Sequence, residues 1–219
     1  MGRLIRNHTM KVNKSNMMMI ALKQELIRAQ EAAKQWEVLA TTDDLTGLHN
    51  RRVLNELDER INAKREERRN PKIAREVSLL FIDLDDFGKI NKDYGDDVGD
   101  EALRLIGKTI RQNIRCDDIA IRKGGDEFVI ILIGSTPDMT NESVIGRLNT
   151  MLNGGLYVSH ANISIPVRGS MGVYTYDEDI TPFDNLKKAD ELMRTQKKER
   201  KAKKAAALSA SDDADGVTV

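Results

Sequence analysis

Seven apolar positions, Met19, Leu22, Leu26, Ala29, Ala33, Trp36 and Ala40, are separated alternately by three and four residues. That spacing is a heptad seam of three repeats and predicts a helix over residues 16–40 that pairs with another helix. The small Ala29 and Ala33 let two such helices approach closely. An amphipathic helix folded against its own domain has the same period, but pairing between two chains is the favoured reading. Residues 1–15 are polar and are expected to be flexible. Asp43-Asp44-Leu45-Thr46-Gly47-Leu48 breaks the pattern.

Asn50 then reads as the N-cap of a helix from Arg51 to about Arg69, with Leu54, Leu57 and Ile61 inward and Asn70-Pro71 as its stop. A strand is predicted over Val77–Asp83, followed by an acidic, turn-rich stretch from Asp86 to Gly99. A helix over Asp100–Ile114 would bury Leu103, Ile106, Ile110 and Ile114. A hairpin follows, Ile119–Arg122 and Phe128–Ile133, and then a loop over Gly134–Asp138. A helix over Asn141–Leu152 leads to two strands, near Tyr157–Ile165 and Val167–Tyr176. The last helix starts near Pro182 and enters a basic run, with six Lys or Arg in Lys197–Lys204. From Ala205 the composition predicts a disordered tail, residues 205–219. Residues 41–204 thus read as one α/β domain, an α+β sandwich with helices over a mostly antiparallel sheet.

Composition narrows the function. The chain has 219 residues, 40% of them apolar and 32% charged, enough for one domain with a core and long exposed helices. Net charge is zero, so no global field favours nucleic acid or an anionic membrane, and neither is expected as a partner. A single cysteine, Cys116, excludes a disulfide framework and suggests a reducing cytoplasm. Three scattered histidines make a histidine-rich metal site improbable. Neither a membrane-spanning run nor a signal peptide is evident.

Candidate chemistry lies in two acidic clusters. Asp83 and Asp85 end a core strand and, two apart, face one side of it. Asp126 and Glu127 follow Gly124-Gly125 at the turn of the hairpin. If the hairpin pairs beside the first strand, three or four carboxylates converge. Two bare carboxylates ~4 Å apart repel by about 4 kcal/mol at an effective dielectric near 20. A divalent cation removes that repulsion, and hard oxygen ligands suit magnesium shared with substrate phosphates. Two such ions can clamp a phosphoryl displacement. Taken singly, each cluster has a plain reading. Asp83-x-Asp85 is an acidic turn, the glycines supply positive φ, and Lys123 can pair with Asp126 at the surface.

Gly124-Gly125-Asp126-Glu127-Phe128 spells the signature of GGDEF-domain diguanylate cyclases, and other blocks resemble that family in order. They are Asp44 to Arg52, Phe81 to Phe87, Asn91, Gly95, Gly99, Asp100, Ser170 to Val173 and Ala189-Asp190, within about residues 41–201. The resemblance implies a nucleotidyl-cyclase, polymerase-palm-like fold that condenses two GTP into cyclic di-GMP across a homodimer joined by the N-terminal helix. It implies Mg2+ or Mn2+ held by Asp83, the Leu84 carbonyl, Asp126 and Glu127, with Asp126 a candidate base. Gly124 and Gly125 would let phosphates come close. Asn91 and Asp100 would read guanine, and Phe87, Lys197 and Lys201 would complete the substrate set. For Asn91 a turn role, for Asp100 a helix N-cap and for Lys197 a solvated basic face are the plain alternatives. A carboxylate and an amide suit the donor and acceptor edges of guanine.

Arg115 and Asp118 resemble the family's inhibitory RxxD site for the product, cyclic di-GMP. Their plain alternative is a salt bridge at a helix end. The chain also departs from the family pattern. Gly88 stands where a phosphate-contacting lysine is usual, with Lys89 one residue off. Lys92 and Asp96 replace an aspartate and a histidine. Lys123 replaces an aromatic residue, Arg194 a tyrosine, and Arg200-Lys201-Ala202 a Gly-Arg-Asn. An active cytoplasmic cyclase is the main expectation, with no sensor domain ahead of the helix. The rival is a catalytically weak member that binds GTP or cyclic di-GMP as an effector. A polymerase-like enzyme on another nucleotide is disfavoured by Asn91 and Asp100.

Overall fold

The computed structural model describes residues 2–66, 76–138, 140 and 142–214. They divide into two compact units, with the boundary between Thr41 and Thr42.

The first unit is a single helix, α1, Gly2–Thr41. It begins at Gly2 and not near residue 16, so the expected flexible segment is continuous helix. Once a helix is nucleated, each further residue adds a hydrogen bond at little cost. The described side chains of the seam are exposed, among them Met19 54%, Leu22 56%, Leu26 58% and Trp36 71%.

The second unit contains β1 (His49–Asn50), a 3-10 turn (Arg51–Glu56), α2 (Leu57–Glu66), β2 (Val77–Leu84), α3 (Phe87–Tyr94) and α4 (Asp96–Asn113). The hairpin β3 (Ile119–Gly124) and β4 (Glu127–Ile133) follows, then α5 (Val144–Thr150) and a π turn (Met151–Gly155). The chain closes with β5 (Leu156–His160), β6 (Ile163–Val167), β7 (Gly169–Thr175) and α6 (Pro182–Ala214). Asn50 caps the first turn, its side chain accepting from the Arg52 N–H at 3.0 Å. The expected stop at Asn70-Pro71 lies outside the described residues.

Five strands form one sheet in the order β1-β3-β4-β2-β7, antiparallel except for the short β1–β3 pair. Central β2 is buried at every position but Asp83, because both its edges are paired and both its faces are covered. Leu80, Ile82, Phe128 and Ile130 pack beneath α4, α5 and the β5–β6 hairpin. Leu79, Phe81, Val129 and Ile131 pack against α2 and the α6 residues Ala189 and Met193. The alternation of a strand thus sends successive residues into two separate cores.

Several elements differ from the sequence reading. Tyr157–Ile165 is not one strand. The chain reverses at Ala161 and Asn162, both with positive φ, and β5–β6 makes its own two-stranded sheet. Positive φ is uncommon for alanine, so that turn carries only the asparagine as a signal. The acidic stretch after Asp86 contains α3, an eight-residue helix with one buried apolar residue, Ile90. Helix α4 starts at Asp96, so Asp100 lies inside it and not at its N-cap. Helix α6 continues through Ala214, where a tail was expected to begin at 205. The alanines and Leu208 there are strong helix formers. Among the described residues no helix is long and apolar enough to cross a membrane.

Candidate active site

The β2–β4 register sets Asp83 opposite Glu127, at the open end of the face that carries Phe81 and Val129. Asp126 precedes Glu127 in the turn, and its carbonyl accepts from the Leu84 N–H at 3.2 Å, tying the turn to the end of β2. Gly125 has φ +55, which a glycine adopts without strain, and a Cβ on Gly124 or Gly125 would meet nothing within 4 Å. The turn is therefore bare backbone facing open space, a cradle into which a ligand can move.

Helix α6 brings cations to the acids. Lys197 Nζ donates to Asp83 Oδ1 and, at 3.3 Å, to the Leu84 carbonyl. One turn on, Arg200 Nη1 donates to Asp85 Oδ2 at 2.6 Å and to the Gly169 carbonyl at 2.7 Å, while Nη2 reaches Asn153. Ser170 Oγ donates to the other Asp85 oxygen at 2.9 Å. Burial, followed by the negative charge of Asp83, pushes the Asp126 carboxyl above its ordinary value, with Lys197 pulling the other way.

The convergence is narrower than the sequence suggests. Among the described residues no three carboxylate, histidine or cysteine groups are gathered tightly enough to hold a metal. Glu127 turns to Lys123, whose Nζ lies 2.8 Å from Oε2, so Lys123 pairs with Glu127 and not with Asp126. The donor set nevertheless fits a hard divalent cation. Asp83 and the Leu84 carbonyl already meet at one positive charge, and the crowding that raises Asp126 is what a cation relieves.

On the other flank of α3, Asn91 Oδ1 is buried with no hydrogen-bond partner among the described residues. Such an atom costs about 1–3 kcal/mol, which a ligand's N–H would recover. A Cβ on Gly99 would lie 1.8 Å from that oxygen and 3.3 Å from the Phe87 ring, so glycine there leaves room for the Asn91 side chain against α4. Asp100 is on the adjoining turn of α4, half exposed and 3.7 Å from Arg104. Gly88 is exposed and a Cβ there would meet nothing within 4 Å. Lys89, next to it in the chain, lines a cleft of about 660 Å³ with Arg168, Lys197, Arg200 and Lys201 and with Asp85 and Asp86.

Asp118 accepts from the backbone N–H of Arg115 at 2.8 Å and of Ile133 at 3.0 Å, closing the turn into β3 and leaving Arg115 exposed. One pair was not legible beforehand. Arg122 Nη1 lies 3.3 Å from both Asp43 oxygens, and its Nε donates to the Gly125 carbonyl at 3.0 Å. Thr46 also donates to Asp43, from N at 2.9 Å and Oγ1 at 2.6 Å. Burial alone would raise the Asp43 carboxyl. The Thr46 bonds and the Arg122 charge outweigh it and hold Asp43 below its ordinary value. The partners are 79 residues apart, so no local pattern announces them.

The family model described as diguanylate cyclase, GGDEF domain, matches residues 40–203. The chain belongs to this family. Response regulator PleD of Caulobacter vibrioides is 38% identical over 159 residues, covering 70% of this chain and 33% of PleD. Probable diguanylate cyclase DgcJ of Escherichia coli is 32% identical over 163 residues, covering 74% of this chain and 30% of DgcJ. The chain therefore spans about a third of the length of these curated relatives. The fold matches the coiled coil and GGDEF domain of DgcB from Caulobacter crescentus, solved with c-di-GMP. The TM-score is 0.67 at 20% identity, covering 84% of this chain and 94% of that one.

Proposed function

We propose that this GGDEF domain condenses two GTP into cyclic di-GMP and two pyrophosphates, each of two subunits holding one GTP. The observation that carries this reading is the meeting of Asp83 and the Leu84 carbonyl at one cation, beside a carboxyl, Asp126, that burial and Asp83 make more basic. Mg2+ or Mn2+ bound there, with Glu127 and Asp126 as further ligands, supplies charge neutralisation at the α-phosphate. Asp126 accepts the proton of the attacking 3′-hydroxyl, a role favoured by its raised pKa. The unpartnered Asn91 oxygen takes a donor from guanine, and Asp100 takes others, which selects guanine over adenine. The Phe87 ring lies beside Gly99 and Asn91 and would border the base. Lys197 and Lys201 hold phosphate oxygens, with Lys89 and Arg168 on the same cleft offsetting the lysine missing at Gly88.

The exposed seam of α1 supports a homodimer joined through that helix, which brings two half-sites together. Arg115, exposed beside Asp118, suits product inhibition by cyclic di-GMP. Incubation of purified protein with GTP and Mg2+ or Mn2+ tests the reading by chromatography of the products. Cyclic di-GMP is expected, and its loss in Asp126→Asn. A dimer that binds the dinucleotide yet makes none would establish the effector reading, for which Gly88 is the favouring observation. Arg115→Ala is expected to raise product yield, and unchanged inhibition would remove the feedback site.

A further inference from the structure

The β3–β4 ladder is in register from Ile119↔Ile131 to Arg122↔Phe128, then jumps to Gly124↔Glu127. Lys123 is the extra residue at that irregularity, and a bulge re-aims the side chain it carries. The Lys123 ammonium lies 4.8 Å from the centroid of Phe81 and 2.8 Å from Glu127 Oε2. Phe81 precedes Asp83 by two residues on one face of β2, and Glu127 faces Asp83 across the ladder. The ammonium therefore sits over the ring that leads to the acids, held by the ring from one side and by the carboxylate from another. Both partners are partly shielded, with side chains 37% and 29% exposed. An aromatic residue, as the family resemblance has at this position, could not form this ion pair.

We propose that Lys123 is a latch on Glu127 that competes with the divalent cation for its carboxylate and so sets the metal affinity of the site. The proposal rests on the reading of Asp83, Leu84, Asp126 and Glu127 as a metal centre. Any metal that takes Glu127 must first displace the ammonium, and the pair's stability is subtracted from binding. Lys123 is a positioning residue here and touches no reacting atom.

A nearby arginine provides the control. Arg194 bonds both Asp190 oxygens at 3.0 Å, and its charge is also felt by Glu127 and Asp83. Among the described residues it makes no hydrogen bond to either of those two. Removing Arg194 thus changes the field without breaking a latch.

The test is titration of the full chain with Mn2+ in the absence of nucleotide, following the spin-resonance signal of free aqueous Mn2+. Lys123→Gln is expected to tighten Mn2+ binding about three- to fivefold, the size of a partly shielded ion pair. Lys123→Arg, which keeps the pair, is expected to stay within about twofold of the parent, and Arg194→Gln likewise. Unchanged or weaker binding by Lys123→Gln overturns the latch. Equal tightening by Arg194→Gln also overturns it, since the effect is then a bare field. Absence of Mn2+ binding in all four proteins removes both the latch and the metal centre. If Lys123→Gln tightens Mn2+ while the parent makes no cyclic di-GMP, the latch stands and the cyclase reading falls.

Discussion

The two units of this chain treat apolar residues in opposite ways. On α1, large apolar side chains from Met17 to Leu39 are 53–72% exposed. In the second unit Leu79, Leu80, Ile82, Phe128 and Ile130 are wholly buried. A sheet with helices on both faces satisfies its own core. A single helix has no second surface to cover its seam, and in proteins most helical stability comes from packing of that kind. The second unit therefore carries its own core and the candidate site, and α1 carries an exposed apolar seam that the proposed homodimer would cover.

Substitutions can break this contrast, starting with the largest expected effect on unfolding of the second unit. Phe128→Ala removes a fully buried ring and is expected to lower urea stability by about 3–5 kcal/mol. Gly172→Ala sets a methyl 2.2 Å from the Ala189 carbonyl and 2.3 Å from the Met193 nitrogen. Overpacking of this kind costs about 1–3 kcal/mol. Because the clash falls on the α6 backbone, Lys197 and Arg200 should shift with it, and product formation should fall beyond what unfolding explains.

Asp43→Asn is expected to destabilise by about 2 kcal/mol at neutral pH, the scale of charge-assisted hydrogen bonds. The folded Asp43 pKa is depressed below 3.8, so its contribution is complete above that value. It is lost as pH falls through the folded pKa. Thermal melts of parent and variant should begin to converge only below pH 3.8 and meet once pH is below the folded pKa, and a gap undiminished at the acid end would show that charge is not the cause. Asn50→Ala removes an N-cap and should cost about 1 kcal/mol in the same urea experiment. Leu26→Glu is expected to change domain stability by less than about 0.5 kcal/mol while shifting sedimentation from dimer to monomer. A loss there comparable to Phe128→Ala would mean that the seam belongs to the domain's own core and would end the contrast.

Much of the fold was readable in advance because period and punctuation are local. Six consecutive apolar residues just beyond a Gly-Gly turn read as a buried strand, and β4 occupies Glu127–Ile133. The turn at Ala161-Asn162 was not readable, since alanine rarely accepts positive φ and the turn depends on the strands that flank it. Helix α3 was hidden because its one buried apolar residue gives no period. In the site, the pairing of the two acidic clusters could be anticipated from strands that both end in acid. The partners of those acids could not. Lys197 and Arg200 arrive from a helix more than a hundred residues later in the chain, and Arg122 meets Asp43 across 79.

By itself the sequence determined which residue types stand at strand ends and turns, the heptad seam, and the GGDEF signature with the positions that follow it. Those are properties of neighbours along the chain, set by backbone preference and spacing. Tertiary structure alone decided which cation meets which carboxylate. Lys123 took Glu127 through a slip in register, Lys197 took Asp83 and the Leu84 carbonyl, and Asn91 was left with a buried oxygen and no donor. Charge interactions depend on distance through space and on shielding from water, and neither is fixed until distant elements pack.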